Sequence, residues 1–341
     1  MIDIILRNHE KSFEEILTGI DKSSFIEKRD ENNTWEIDFT ISRTIRNYLT
    51  FDMLTFECSI FLNNQEFIVK KATCSALGDK VTKSIIATHV YYTIQDGFQY
   101  NTITGTLSVN DCLSHIFSAG SRGFTYEVID KNNILEKVEQ ENFGNSNYLQ
   151  LINEVIEDYK LVVLPENKHL VFFPQEDYGV RIENPIRYNY NTDNLNLEID
   201  TFSLRTQIKG FGKKKEDDSY YFLPITYTSS EAEKWGIRIQ TPVEDDRYTS
   251  QGNMLRRLRL DLQDYPATTI STNLKLSYDV NLGDFVMLIY EPLAIEYDVK
   301  IVGFTKYWLC DKPPEITLSN NKMMTKNIIA SLFKKINGGI K

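Results

Sequence analysis

The chain of 341 residues has no long hydrophobic run and few cysteines. No stretch approaches the roughly 18 consecutive apolar residues that a membrane-spanning helix requires. The first twenty residues contain acids within their short apolar runs and no small-residue cleavage site. We therefore predict neither a signal peptide nor a transmembrane segment. The cysteines lack CxxC spacing, which predicts reduced thiols in a protein made in a cytosol; they are Cys58, Cys74, Cys112 and Cys310.

Patterns of known catalytic and metal sites are also missing. The chain contains no GxSxG sequence, and its four histidines lack the spacing of a zinc site. Cys112 and His115 are three residues apart and could form a thiolate–imidazole pair, but Cys112 lies on an apolar stripe, which favours a packed structural cysteine. Asp245 and Asp246 could belong to a glycosidase pair, although adjacent acids more often form a solvated turn. We predict no catalytic, cofactor-binding or metal site.

Positive charge is in deficit. The chain has 38 lysines and arginines against 48 aspartates and glutamates, a formal net charge of −10. Such a protein repels phosphate backbones unless its basic residues are concentrated in one place. The three lysines at 213–215 form a basic cluster, but three acids follow immediately at 216–218. Nucleic-acid binding is therefore not the predicted main activity.

The glycines before these lysines raise the question of a nucleotide-binding loop. The sequence IKGFGKKKEDD, residues 208–218, contains Gly210 and Gly212. A phosphate-binding loop requires Gly-x4-Gly-Lys-Ser/Thr, but Gln207 and Lys214 occupy the positions of the first glycine and the hydroxyl. We therefore predict the tip of a hairpin, in which the glycines supply unusual φ values where the strand ends.

Aromatic residues are abundant, with 19 tyrosines and 19 phenylalanines, and they favour strands over helical bundles. Apolar and polar residues alternate over 35–41 and 54–62, as they do in half-buried strands. Residues 83–94 are apolar enough on both faces to be a third strand. No proline occurs before Pro165, which suits long uninterrupted strands. The first hundred residues are thus predicted to be mainly β-structure.

The middle of the chain combines helices with strands. Ser108 and Asp111 have the spacing of a capping box, and Gly120 is placed to end the helix that follows. A second helix is predicted over roughly 146–159, and two apolar strands flank a turn at 165–168. This block is predicted to be α+β.

The carboxyl half begins with strand-like segments and then has a helix. Residues 251–266 place Met254, Leu258 and Leu262 on one stripe, with Pro266 as the stop signal. Alternating segments within 267–318 predict a second β-rich unit. The last twenty residues, 322–341, contain five lysines and no acid. They could be an amphipathic docking helix or a frayed, solvated end, and the sequence leaves both open.

The order of several pieces in the carboxyl half resembles the prophage tail endopeptidase family, the tail-associated hub proteins of long-tailed phages. These pieces are a segment around Gly236, the Asp-Asp-Arg-Tyr-Thr run at 245–249, a helix ended by Pro266, Leu-Gly-Asp at 282–284 and EITLSN at 315–320. The resemblance is strongest from about 195 to 321. Its specificity comes from the order of the pieces, because none of them is decisive alone.

The resemblance implies a β-rich α+β multidomain fold with two β-barrel-like hub domains and small α+β domains between them. The predicted divisions are an N-terminal barrel-like domain, an α+β domain, a connecting hairpin and helix, a second barrel-like domain and an amphipathic tail, at 1–104, 105–200, 201–266, 267–321 and 322–341.

The function implied is structural: a homotrimeric tail-tip or baseplate hub that closes the distal tail tube. Its implied partners are itself, the distal tail protein, the tube and tape-measure proteins and the host envelope, and DNA would pass without specific binding. Such a protein is made in the bacterial host cytoplasm and resides at the virion tail tip. Family members usually carry lytic activity on a separate later domain, so we expect no enzyme here. The alternatives are a peptidoglycan-degrading endopeptidase or muramidase and a carbohydrate-binding module.

Overall fold

A computed structural model describes residues 3–275, 281–293 and 295–318. Strands β1 to β7 are Ile5–Arg7, Glu14–Ile16, Ile26–Asp30, Trp35–Ser42, Ser59–Leu62, Gln65–Leu77 and Lys80–His89. Strands β8 to β14 are Phe98–Leu107, Thr125–Val128, Val138–Asn147, Leu161–Glu166, His169–Pro174, Arg181–Arg187 and Asn196–Asp200. Strands β15 to β21 are Gln207–Phe211, Ile225–Thr228, Val243–Glu244, Ala267–Asn273, Phe285–Tyr290, Ile295–Lys306 and Glu315–Leu318. The predicted tail, 322–341, lies outside the described residues.

Helices α1 to α5 are Tyr48–Met53, Val109–Ser118, Tyr148–Tyr159, Ala232–Trp235 and Gln251–Asp261. Two 3₁₀ helices cover Val90–Asp96 and Glu291–Leu293. Among the described residues no helix has both the length and the apolar character needed to cross a bilayer.

One large sheet connects the two ends of the chain. It has 13 strands, and its main path runs β14-β18-β21-β20-β3-β4-β7-β6-β5-β1-β2, with β13 and β19 branching from β20. Strand β20 makes the connection because, with 12 residues, it is long enough to pair with different strands along its length. Residues 295–300 pair with β19, and residues 303–306 pair with β3. The described strands therefore follow an open path instead of a closed ring, and barrel-like closure remains a prediction.

Four groups of buried apolar side chains form separate cores. The N-terminal core uses residues 4–87, the α+β core 91–172, the C-terminal core 186–318 and a small core 208–262. We use the terms N-terminal, α+β, C-terminal and connecting unit for the segments around these cores. Strands β13 and β14 contribute to the C-terminal core, although the predicted divisions placed them in the α+β domain, 105–200. The division limits remain predictions.

The predicted strand alternation is confirmed in one segment and fails in two. Strand β4 alternates buried and partly exposed residues along its whole length, as predicted. The prediction over 54–62 was wrong before Ser59, because Glu57 has φ +60° and turns the chain, leaving Phe56 71% exposed. The prediction over 83–94 was wrong after His89, where the chain enters a 3₁₀ helix that packs apolar residues between the N-terminal and α+β cores.

The predicted helices are confirmed, with shorter limits. Ser108 and Asp111 form the capping box of α2, and Gly120 lies beyond its end with φ +126°. Helix α3 begins at Tyr148, because the Asn147 side chain caps it by accepting a hydrogen bond from the Gln150 N–H. Helix α5 ends at Asp261, several residues before the predicted proline stop.

Candidate functional site

The stretch 208–218 is a hairpin tip, as predicted. Strand β15 pairs with β16, and between them Lys214 and Tyr220 form an antiparallel bridge. The Lys215 N–H donates to the Ser219 carbonyl at 2.7 Å, which closes the turn. The side chains at 214–219 are exposed, so their charges are solvated.

The predicted reason for the two glycines was wrong. Neither Gly210 nor Gly212 has a positive φ. Instead, both permit close packing: a Cβ on Gly210 would lie 2.6 Å from the Met254 sulfur of α5, and one on Gly212 would lie 2.5 Å from the Phe222 ring. Gly210 therefore lets helix α5 approach the hairpin, and Gly212 leaves room for the Phe222 ring.

The Cys112–His115 pair does not form. Cys112 is fully buried, and its Sγ lies 3.5 Å from the Tyr159 hydroxyl. Burial raises the pKa of the Cys112 thiol to about 11, so the thiol is protonated at neutral pH. His115 Nε2 lies 2.9 Å from the Asn101 carbonyl oxygen instead. The interpretation of Cys112 as a packed structural residue is confirmed.

The Asp-Asp-Arg-Tyr-Thr run joins the connecting unit to the α+β unit. Arg247 donates to Asp245 of its own loop and to Glu154 of α3, both at 2.8 Å. Burial opposes charge on Arg247, but hydrogen bonding and attraction to the two carboxylates outweigh it and raise the pKa of Arg247. Burial raises the pKa of Glu154, partly offset by Arg247. Asp245 therefore forms an ion pair with Arg247, whereas Asp246 is exposed.

The rest of this interface is also polar. The Thr249 N–H donates to Glu141 at 2.6 Å, and the Asn142 amide donates to the Arg247 carbonyl at 2.7 Å. Arg256 of α5 donates to the Glu139 carbonyl at 2.9 Å. An open cleft of about 540 Å³ runs beside these contacts. The two units are thus held together by hydrogen bonds and ion pairs, while their apolar cores stay separate.

The β3–β4 turn holds three units together. Lys300 of β20 donates to Glu31 Oε1 at 3.2 Å and lies 2.9 Å from its other oxygen. Lys300 is buried, and the Glu31 side chain is only 9% exposed. The Asn32 amide donates to the Leu161 carbonyl and accepts from the Val163 N–H, each at 2.9 Å, and so grips the edge of β11. The turn therefore contacts the C-terminal and α+β units with adjacent side chains.

Next to this turn, Glu27 joins two tryptophans. One Glu27 oxygen accepts from the Trp35 indole N–H at 2.8 Å, and the other accepts from the Trp308 indole N–H at 2.6 Å. Trp308 follows β20, so the contact fastens the C-terminal unit to the N-terminal core. An open pocket of about 300 Å³, which we call the Arg29 pocket, lies beside them and is also lined by Arg29.

His89 is a buried neutral histidine behind this pocket. Its ring stacks on Trp35 with centroids 3.9 Å apart. Nδ1 accepts from the Tyr91 N–H, so Nε2 carries the proton and donates to the Gln65 side-chain oxygen at 3.0 Å. Burial lowers the pKa of His89 to about 3, and the Arg29 charge acts in the same direction.

We expect acid to destabilise the protein through His89. The unfolded chain binds a proton near pH 6.5, whereas the folded chain does so only near pH 3, so the contribution of His89 is complete above 6.5 and is lost as the pH falls towards 3. Between pH 7 and about 4.5 this amounts to about 2–3 kcal/mol. Urea unfolding of wild type and His89→Gln at both pH values measures it. The loss in free energy of unfolding between pH 7 and pH 4.5 should be smaller in His89→Gln than in wild type. His9→Gln, at an exposed histidine, is the control and should lose as much as wild type. The same loss in all three proteins would contradict the role of His89.

Sequence reasoning missed the residues at the unit junction. Glu27, Glu31 and Asn32 are ordinary strand and turn residues in the sequence, and their roles depend on partners more than 100 positions away. The scarcity of tryptophan was the one available signal, since two of the three tryptophans share Glu27. In the ranges 3–275, 281–293 and 295–318, no three histidine, cysteine, aspartate or glutamate side chains are grouped to hold a metal ion.

Comparison with known sequences gives three consecutive family matches. The prophage endopeptidase tail N-terminal domain matches residues 4–89, the prophage endopeptidase tail domain matches 96–172, and the prophage endopeptidase tail matches 180–329. No curated protein sequence gives a significant match.

Solved structures extend the comparison. Prophage tail protein gp18 from Listeria monocytogenes is 52% identical, with 98% of this chain and 99% of that chain covered and a TM-score of 0.69. A tail protein of prophage MuSo2 from Shewanella oneidensis is 9% identical, with 93% and 98% covered and a TM-score of 0.65. A tail protein from Neisseria meningitidis is 12% identical, with 96% and 99% covered and a TM-score of 0.59. The last two share the fold. With 52% identity along almost its whole length and three successive family matches, the chain belongs to the prophage endopeptidase tail family.

Proposed function

We propose that this chain is a structural protein of the phage tail, and that three copies form the tail-tip or baseplate hub ring that closes the distal end of the tail tube. The observation that carries the proposal is the 52% identity with a prophage tail protein over 98% of the chain. The candidate catalytic residues support a structural role as well, because Cys112 is packed in a core and Asp245 is paired with Arg247.

The way the units are joined suits a component of a rigid ring. Backbone pairing between β20 and β3 links the C-terminal and N-terminal units, and the buried Lys300–Glu31 pair lies beside that connection. Two such β-rich units in each of three copies would present six similar faces to a sixfold tube. In the full proposal the ring meets the tube, tape-measure and distal tail proteins, and its acidic charge lets DNA pass without being gripped.

We place the ring contact at strand β6. Strand β5 pairs with β6 only up to Ile68, and residues 70–77 of β6 are exposed while their other edge pairs with β7. Such a long unpaired edge is a template for a strand from another chain. The exposed Lys71 and Lys80 of this hairpin would face acidic neighbouring copies favourably.

Light scattering over a wide concentration range should give a mass near three times 39.7 kDa. Cys74 is exposed on the β6 edge, so its maleimide labelling should slow at least tenfold as the mass rises from one copy to three. The partly buried Cys310, away from that edge, is the control and should label at an unchanged rate. A mass of 39.7 kDa at every concentration would contradict the ring, and a trimer with unprotected Cys74 would contradict only the placement of the contact.

A further inference from the structure

The Arg29 pocket is built by three units of the fold. Its walls combine strands of the N-terminal sheet, the end of β11 from the α+β unit and the end of β20 from the C-terminal unit. Its volume of about 300 Å³ is within the range of small-molecule sites, which favour such boundaries between units. Apolar wall residues are Trp35, Leu62, Leu164, Pro165, Phe304 and Trp308.

Arg29 presents donors that nothing in the described ranges accepts. Its guanidinium lies 3.6 Å from the centroid of the Trp35 ring, which also stacks on His89. No side-chain or backbone oxygen of the described residues forms a hydrogen bond or ion pair with it, and burial lowers the pKa of Arg29. The adjacent carboxylate, Glu27, uses both oxygens on Trp35 and Trp308. A guanidinium held flat against an aromatic ring keeps its edge free for a planar partner.

A second donor lies on the same wall. The Gln65 side-chain oxygen accepts from His89 Nε2 and from the Asn167 N–H, both at 3.0 Å. Its NH₂ group therefore has no acceptor among the residues described. Lys306 adds positive charge to the wall, whereas the carboxylate of Glu166 lies on the exposed rim. The pocket lining thus carries two cations, Arg29 and Lys306, and two carboxylates, Glu27 and Glu166. Because both Glu27 oxygens already accept hydrogen bonds and Glu166 is exposed, the groups left to bind a ligand inside the pocket are the donors of Arg29 and Gln65.

We infer that the Arg29 pocket binds an oxyanion, a carboxylate or phosphate, carried on a compact ring-bearing molecule. The Arg29 fork donates two parallel hydrogen bonds to the oxyanion, and the Gln65 amide donates a third. The ring packs between the apolar walls near Trp308 and Phe304. This site is independent of the ring contact at β6, since none of its residues belongs to 70–77.

Isothermal titration of the full chain with benzoate, phenyl phosphate and neutral benzyl alcohol tests the inference. We expect at least one anion to bind and benzyl alcohol not to bind, and the stronger anion identifies the group preferred. Arg29→Met keeps an apolar stem on Trp35 but removes the donors, so affinity should fall at least tenfold. Arg29→Lys should also weaken binding, because an ammonium lacks the planar fork. Lys28→Met removes one charge from the same strand, where Lys28 is exposed and lies 3.5 Å from Glu36, and should leave the affinity unchanged.

Two results would overturn the inference: neither anion binds wild-type protein at millimolar concentration, or Lys28→Met loses as much affinity as Arg29→Met. Indole N–H resonances of the wild-type protein provide a second measurement that needs no pocket variant. Benzoate or phenyl phosphate should shift the signals of Trp35 and Trp308 and leave Trp235, outside the pocket, in place. Shifts confined to Trp235 would locate binding elsewhere and reject the site.

Discussion

We expect Lys300→Met to lower the free energy of unfolding by about 3–5 kcal/mol, because it leaves the Glu31 carboxylate buried without its counter-charge. Lys300 is 6% exposed, and the side chain of its partner Glu31 is 9% exposed. The pair lies where β20 leaves the C-terminal unit to join β3, so its loss should loosen the junction itself. Urea unfolding followed by tryptophan fluorescence reports the change, since Trp35 and Trp308 lie at this junction.

Two further variants separate the buried charge from general charge effects. Arg187→Met breaks an ion pair with Glu291 whose side chains are about half exposed, and it should unfold close to wild type because solvent screens that pair. The double variant Lys300→Met with Glu31→Leu removes both charges and should recover most of the loss. If Lys300→Met lowered the free energy of unfolding no more than Arg187→Met does, the buried pair would not be holding the units together.

We expect Gly144→Ala to destabilise the α+β unit by about 4 kcal/mol. Gly144 has φ +136°, which side chains rarely adopt, and its Cβ would overlap the Asn101 carbonyl oxygen on the neighbouring strand β8. The energetic costs of backbone strain and of overpacking therefore add. The clashing atom belongs to the backbone, so it cannot rotate out of the way as a side chain could. Urea unfolding followed by far-ultraviolet circular dichroism measures the loss through helices α2 and α3.

Gly120→Ala is the matched control for the steric part. Gly120 has φ +126°, similar to Gly144, but no atom lies within 4 Å of the position its Cβ would take. Alanine at 120 therefore incurs only the backbone strain, about 1–2 kcal/mol. Equal losses at the two positions would show that φ alone matters and that β8 yields to the added methyl group.

The local parts of the fold were predictable because the interactions that form them are close in sequence. The capping box of α2 needs only residues 108 and 111, and the β11–β12 turn needs only the few residues between its strands. The hairpin at 208–218 was likewise predictable from the sequence. The segment lacks the spacing of a phosphate-binding loop, and its three lysines are followed directly by three acids. Even so, alternation over 54–62 was misleading, because a single left-handed residue, Glu57, ends the strand pattern.

The sequence by itself determined the family, the presence of helices α2, α3 and α5, the capping box of α2 and the strand alternation of β4. Only the tertiary structure decided that β20 joins the two β-rich units, that Gly210 and Gly212 serve packing and that Arg29 faces a pocket. The reason is physical: capping and alternation depend on neighbours within a few residues. The partners of Glu31, Asn32 and Glu27 come from positions more than 100 residues away, which no local pattern encodes.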